Sequence, residues 1–176
     1  MSDFYFSGAT YTKLDAKNRF VLPQPMRYGL IEDGKLEFAL ALGMGGSLAI
    51  YRKSAMKEVI ERFREKQYVA KYQKFFTLFF STLHELTCDK LGRVVLPPVL
   101  KKAAKIESEI VICGVLNKIE IWSKEAYERD LTTFLEGGEN NALSEVSSEV
   151  FGLLNGLEKE EPAALSAREK AEYQEL

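Results

Sequence analysis

Aspartate and arginine recur at one spacing in two places: Asp15-Ala16-Lys17-Asn18-Arg19, followed by Phe20-Val21-Leu22-Pro23, and Asp89-Lys90-Leu91-Gly92-Arg93, followed by Val94-Val95-Leu96-Pro97. The second stretch lies 74 residues after the first. A carboxylate at the head of a tight turn accepts hydrogen bonds from the backbone N–H groups that follow it. A guanidinium is a planar, permanently charged fork, suited to bidentate pairing with phosphate or with guanine in a major groove that admits a two-stranded ribbon. In each copy the residue before the arginine, Asn18 or Gly92, tolerates the positive φ that such a turn demands. Asp15 and Asp89 thus have a structural job open to them, holding turn backbone and pairing with Arg19 and Arg93. For the arginines the spacing favours function: just after a turn, at the tip of a β-hairpin, their forks are expected to point outward to a polyanion. Lys13, Lys17 and Arg27 are expected to add positive charge near the first tip, and Lys90, Lys101 and Lys102 near the second.

The same order of elements brackets both motifs. After each Leu-Pro comes a short amphipathic run, 24–31 and then 98–104, opened by a proline whose fixed φ suits a first helical position. Apolar strands are expected over 36–42 and 110–115, and after a glycine or asparagine turn over 47–53 and 118–124, the last pair matching at an offset of 71. A longer helix is expected to follow from Ser54 or Ser123, and both serines are expected to cap. Repetition on this scale divides the chain into a first unit over 4–53, a helical hairpin over 54–84, a second unit over 85–128 and a helical, acidic extension over 129–176.

Between the units, 54–66 places Met56, Val59, Ile60 and Phe63 on one helical face, and 68–83 places Tyr72, Phe75, Phe76, Phe79, Phe80 and Leu83 on another. So heavy an aromatic stripe is expected to be core, with the alternative that part of it packs on another subunit. From 137, a Gly-Gly-Glu-Asn-Asn patch reads as a linker, Leu143, Val146, Val150, Phe151, Leu153, Leu154 and Leu157 recur at helical spacing, and the last 14 residues are expected to be mobile.

The 176 residues carry a net charge of −2, which hides an asymmetry. Residues 1–134 hold 21 Lys and Arg against 16 Asp and Glu, a balance of +5; residues 135–176 hold 3 against 10, a balance of −7. A mildly basic body therefore carries an acidic tail. No catalytic constellation emerges. His84 is alone, the glycines of Leu42-Gly43-Met44-Gly45-Gly46-Ser47 lack the lysine of a phosphate loop, and Cys88 and Cys113 are too few for a disulfide framework or a zinc site. No cofactor, metal or small-molecule substrate is expected. The aromatic run 75–80, like every other apolar run, falls far short of the roughly 18 residues of a membrane span, and no basic leader precedes an apolar segment, so a cytoplasmic protein is expected.

Phe6-Ser7-Gly8-Ala9 ahead of Leu14-Asp15-Ala16-Lys17-Asn18-Arg19, then Asp89-Lys90-Leu91-Gly92-Arg93-Val94-Val95-Leu96-Pro97-Pro98 and Asn117-Lys118-Ile119-Glu120-Ile121-Trp122, resembles the MraZ family of bacterial transcriptional regulators. The likeness covers roughly 4–130. It implies an α+β fold, an AbrB-like swapped-hairpin β-barrel formed by two internal repeats with a helical hairpin between them and C-terminal helices. It further implies a homo-oligomeric ring bound to double-stranded DNA at direct repeats in the promoter of the division and cell-wall gene cluster, most simply as a repressor, in association with the nucleoid. The DNA-binding residues implied are Lys13, Asp15, Lys17, Arg19, Arg27, Asp89 and Arg93. Three departures stand out: Asn18 replaces the family's usual glycine, Ser7 stands where arginine is common, and the acidic extension is longer than the pattern requires. Two other classes compete, a structural or interaction ring without specific DNA binding, favoured by the aromatic stripe and acidic tail, and an enzyme on a related barrel.

Overall fold

The computed structural model describes residues 4–136 and 142–155. In chain order the elements are β1 (Ala9–Lys13), β2 (Arg19–Val21), α1 (Gln24–Gly29), β3 (Ile31–Glu32), β4 (Lys35–Leu36), β5 (Phe38–Leu42), β6 (Leu48–Arg52), α2 (Lys53–Glu65), α3 (Gln73–Thr82), β7 (His84–Leu86), β8 (Arg93–Val95), α4 (Pro98–Ala103), β9 (Glu109–Val115), β10 (Lys118–Ser123), α5 (Lys124–Glu136) and α6 (Ala142–Gly152). The fold is α+β with antiparallel sheets, and the chain divides into two compact units, Met1–Arg129 and Asp130–Leu176.

Strand patterning follows from which faces are covered. β10 alternates buried and half-buried residues, the period-two signature of a strand covered chiefly on one face. In β9 the four residues Ile110, Val111, Ile112 and Cys113 are buried in succession, so both faces are covered. The main sheet runs β1-β9-β10-β6-β5-β7, and its pairings exchange strands between the two halves of the chain. β1 pairs with β9, Ala9 opposite Cys113, while β7 pairs with β5, Leu86 opposite Phe38. β2 and β8 leave the sheet and pair with each other as a separate ribbon, Phe20 opposite Val94. The β-barrel expected from the resemblance is therefore not closed: β1 and β7 remain edges, because β2 and β8 satisfy their backbone groups in their own ribbon.

One hydrophobic core joins ribbon, sheet and short helices, with Phe20, Leu22, Leu40, Ile50, Val94, Leu96, Leu100, Ile110, Ile112 and Ile119 fully buried. α1 and α4 begin directly after Pro23 and Pro97, and bury Met26 and Leu100 in that core. A second cluster seats Phe79 and Met56 on Ala39 and Ala41. Only part of the aromatic stripe is core, however: Phe63 stacks edge-on to Phe79, while Phe75, Leu78 and Phe80 stay more than two-fifths exposed.

The helix caps also depart from expectation. Ser123 caps α5 by accepting the Ala126 N–H at 3.1 Å. Ser54 does not cap α2, which starts one residue earlier. Arg52 holds the cap position and has no acceptor to offer, so the Glu32 carboxylate reaches over from β3, taking the Ser54 N–H at 3.1 Å and bonding its hydroxyl as well. α6 carries exposed Val146, Val150 and Phe151 on its surface. The expected linker over 137–141 and mobile C-terminal residues lie outside the described residues. Among those described, no helix is long and apolar enough to cross a membrane.

Candidate nucleic-acid interface

Both Asp-x-x-x-Arg segments fold into the same turn. In the first, the Asp15 N–H donates to the Arg19 carbonyl at 2.8 Å, and the Asn18 N–H donates back to the Asp15 carbonyl at 3.0 Å. One carboxylate oxygen, Oδ1, accepts the N–H groups of Lys17 and Arg19, each at 2.9 Å, and Oδ2 accepts Arg19 Nε at 2.7 Å. The second turn repeats this bond for bond: Asp89 Oδ1 takes the Leu91 and Arg93 N–H groups at 2.9 Å, and Oδ2 takes Arg93 Nε at 2.6 Å. The spacing is thereby explained. Four residues is the distance at which one carboxylate bonds both turn backbone and the side chain that closes it.

These bonds hold both carboxyls below the ordinary value of 3.8. For each the largest cause is the backbone hydrogen bond from its arginine, opposed by partial burial and reinforced by the guanidinium and by the N–H of Lys17 or Leu91. Both aspartates are therefore anionic at neutral pH, and both arginines are engaged inward through Nε, contrary to forks pointing freely outward. Only the Nε edge is used. Among the described residues neither guanidinium has another partner, and the side chains stay 25% and 31% exposed. Their terminal nitrogens therefore remain available.

The expected hairpin tips are corrected too. β1 and β2 belong to different sheets, so each turn joins the main sheet to the ribbon and does not cap a hairpin. In the ribbon Arg19 faces Val95 and Arg93 faces Val21. With Phe20 and Val94 turned into the core, Arg19, Val21, Arg93 and Val95 all lie on the outer face. The arginines are diagonal neighbours on it, with backbones about 7–8 Å apart. Two separate contact points become one composite face. Both arginines border a single groove of about 630 Å³, whose lining also includes Lys53 bonded to Glu37 at 2.7 Å and ion-paired with Glu85 at 3.7 Å.

The strand exchange also redistributes the flanking cations. Arg27, expected at the first turn, lies beneath the second, with Nη1 donating to the Leu91 carbonyl at 3.4 Å. Lys101, expected at the second, reaches the first, its Nζ donating to Asn18 Oδ1 at 2.8 Å. Lys13 stands on the edge strand β1, 74% exposed and 4.0 Å from Glu109, and Lys17 and Lys90 are exposed on the turns themselves. Val21 and Val95 are parts of this face that the motif reading does not name. The alternation in Arg-Phe-Val and Arg-Val-Val, middle residue in and outer two out, was the available signal for the valines.

A comparison with known proteins decides the family. The chain is 34% identical over 145 residues to the transcriptional regulator MraZ of Mycoplasma mobile, covering 82% of this chain and 94% of that protein. The chain belongs to the MraZ family. The MraZ regulators of Desulforamulus reducens and Caldanaerobacter subterraneus are 33% and 34% identical, over 70% and 65% of this chain and 85% and 78% of theirs. The family model described as "MraZ protein, putative antitoxin-like" matches residues 79–144, a span that contains the second turn, β8, α4, β9 and β10. These MraZ relatives are named as regulators and not as enzymes. The two thiols fit that company: burial pushes Cys113 up to about 11 and raises Cys88, so both are protonated and weakly nucleophilic at neutral pH.

Proposed function

We propose that the chain is a transcriptional regulator that binds double-stranded DNA through the outer face of the β2–β8 ribbon. The carrying observation is the pair of arginines on that one face, each fixed through Nε by its own aspartate with its terminal nitrogens exposed. An arginine so held loses little entropy on contact and presents two donors to a phosphate or a guanine edge. Lys13 and Lys17 supply phosphate contacts beside Arg19, Asp15 and Asp89 set the two turns, and Arg27 works from beneath the second.

The finer reading is an AbrB-like exchanged-hairpin fold of two repeats, 4–53 and 85–128, joined by the 54–84 hairpin and followed by the 129–176 extension. In it, a ring of copies represses the division and cell-wall gene cluster from direct repeats in its promoter, on the nucleoid. The exchange of β1 and β7 between halves supports the fold. The modest excess of charge supports the ring, because several weak contacts on spaced repeats raise avidity by about 10² to 10⁴ without any new contact. A gel-shift titration tests this: a duplex with several spaced repeats should bind far more tightly than one with a single repeat, and equal binding refutes the multivalent mechanism. The identity of the target is tested by sequencing DNA recovered with the protein from its native cell.

One observation favours a second reading, a ring that holds protein partners without specific DNA contact: Phe75, Leu78 and Phe80 are exposed on α3. Filter binding at low salt separates the two.

A further inference from the structure

The two turns share their backbone bonds and differ in what packs beneath them, through the residue before the arginine and the cation under it. Asn18 and Gly92 are equivalent positions 74 residues apart, and so are Arg27 and Lys101. Each cation serves the other copy's turn. The Arg27 guanidinium sits so close under Gly92 that a Cβ there would stand 1.4 Å from Nη1 and 2.5 Å from Cζ. At the first turn a side chain fills that space: Asn18, at φ 56°, turns its Oδ1 to the slimmer Lys101 ammonium at 2.8 Å.

We propose that Arg27 and Lys101 are reciprocal positioning residues, each clamping the Asp-x-x-x-Arg turn of the opposite half. Turn residue and clamp form matched pairs, glycine with arginine and asparagine with lysine. Three observations carry this. Both clamps reach the turn they do not neighbour in sequence, Arg27 at the Leu91 carbonyl and Lys101 at Asn18. The backbone of each turn is tied to the other half as well, the Leu22 N–H donating to the Gly92 carbonyl at 2.9 Å and the Leu96 N–H to the Asn18 carbonyl at 2.8 Å. And Gly92 has φ 78°, in the region Asn18 already tolerates, so backbone conformation does not by itself demand glycine there; the arginine does.

The consequence for function rests on the DNA reading above: Arg27 acts on DNA through Arg93, whose turn it holds, and Lys101 acts through Arg19. Asn18 at the first turn is then matched by lysine at 101.

The full chain is tested as wild type, G92N, R27K and R27K/G92N, by thermal melting and by titration of a promoter duplex recovered with the protein from its native cell. G92N leaves every charge in place but drives out the Arg27 guanidinium. It should lower the melting temperature by about 4 °C or more and weaken binding about tenfold, and R27K/G92N should recover most of both losses. Simple addition of the two single effects overturns the matched-pair claim. Lost stability with unchanged affinity overturns the link to Arg93. Should G92N fail to fold, the mirror set decides: K101R should rescue N18G, and an equal effect of K101R in both backgrounds counts against the proposal. If the wild type binds no DNA, the functional reading fails while coupling in the melting data still establishes the clamp.

Discussion

The turn at Asp15–Arg19 and the turn at Asp89–Arg93 are built on one hydrogen-bond plan with different fillings, asparagine over lysine in the first and glycine over arginine in the second. What stays constant between them is the carboxylate that gathers two backbone N–H groups and one Nε. What varies is the packing beneath. The invariant part fixes where the guanidinium stands, and the variable part is free to differ because either filling supports the same backbone. A function of the arginines should therefore be shared evenly between the turns, whereas sensitivity to substitution beneath them should not be.

The sharpest way to break that comparison is to remove the arginines one at a time. R19A and R93A should each weaken binding to a promoter duplex by about ten- to a hundredfold, the range for one charge-assisted contact, and R19A/R93A should weaken it by about the product of the two, measurable at low salt. Markedly unequal single effects in a gel-shift series would show that one turn alone carries the contact. Removing the aspartates should do less. D15A and D89A leave the guanidinium in place but release it and two backbone N–H groups, so binding should fall severalfold, with a small loss in melting temperature that is equal in the two variants. Leu91→Ala should do least, since it keeps the carbonyl that receives Arg27 and removes only an exposed side chain, and it should leave both affinity and melting temperature within error.

Acid titration sharpens the comparison further. Both aspartates titrate below 3.8 when folded, so the stability they confer is present above that value and is lost as pH falls through their lowered folded values. Amide resonances of Lys17, Arg19, Leu91 and Arg93 followed by NMR should hold steady from pH 8 to about 5 and move together only in strong acid. Movement of one turn near neutral pH would mean that its carboxylate is not held as described.

Both turns were legible in the sequence because their demands are local: a carboxylate, a residue suited to positive φ and an arginine, at fixed spacing, state the geometry without reference to the rest of the chain. The strand order was not. Arg19-Phe20-Val21 shows only that one face is buried, and a three-residue strand of that pattern fits beside any neighbour of equal length, so pairing with β1 through a hairpin looked as plausible as the pairing with β8 that forms. The misplaced cations follow from that one ambiguity. Once β2 joins β8, Arg27 passes under the second turn and Lys101 under the first, and two separate tips become one face. The cap of α2 was missed for a similar reason. Its acceptor, Glu32, lies 22 residues from Ser54, and no local pattern announces it.

The most direct test of the ribbon face is the salt dependence of DNA binding by wild type and R19A/R93A, at a temperature where both are folded. Loss of two phosphate-directed arginines should flatten the slope of log K against log salt by about two units while the melting temperature stays close to wild type. An unchanged slope, with affinity falling only as the folded fraction falls, would show that both arginines serve the turns alone and that the outer face of the ribbon does not touch DNA.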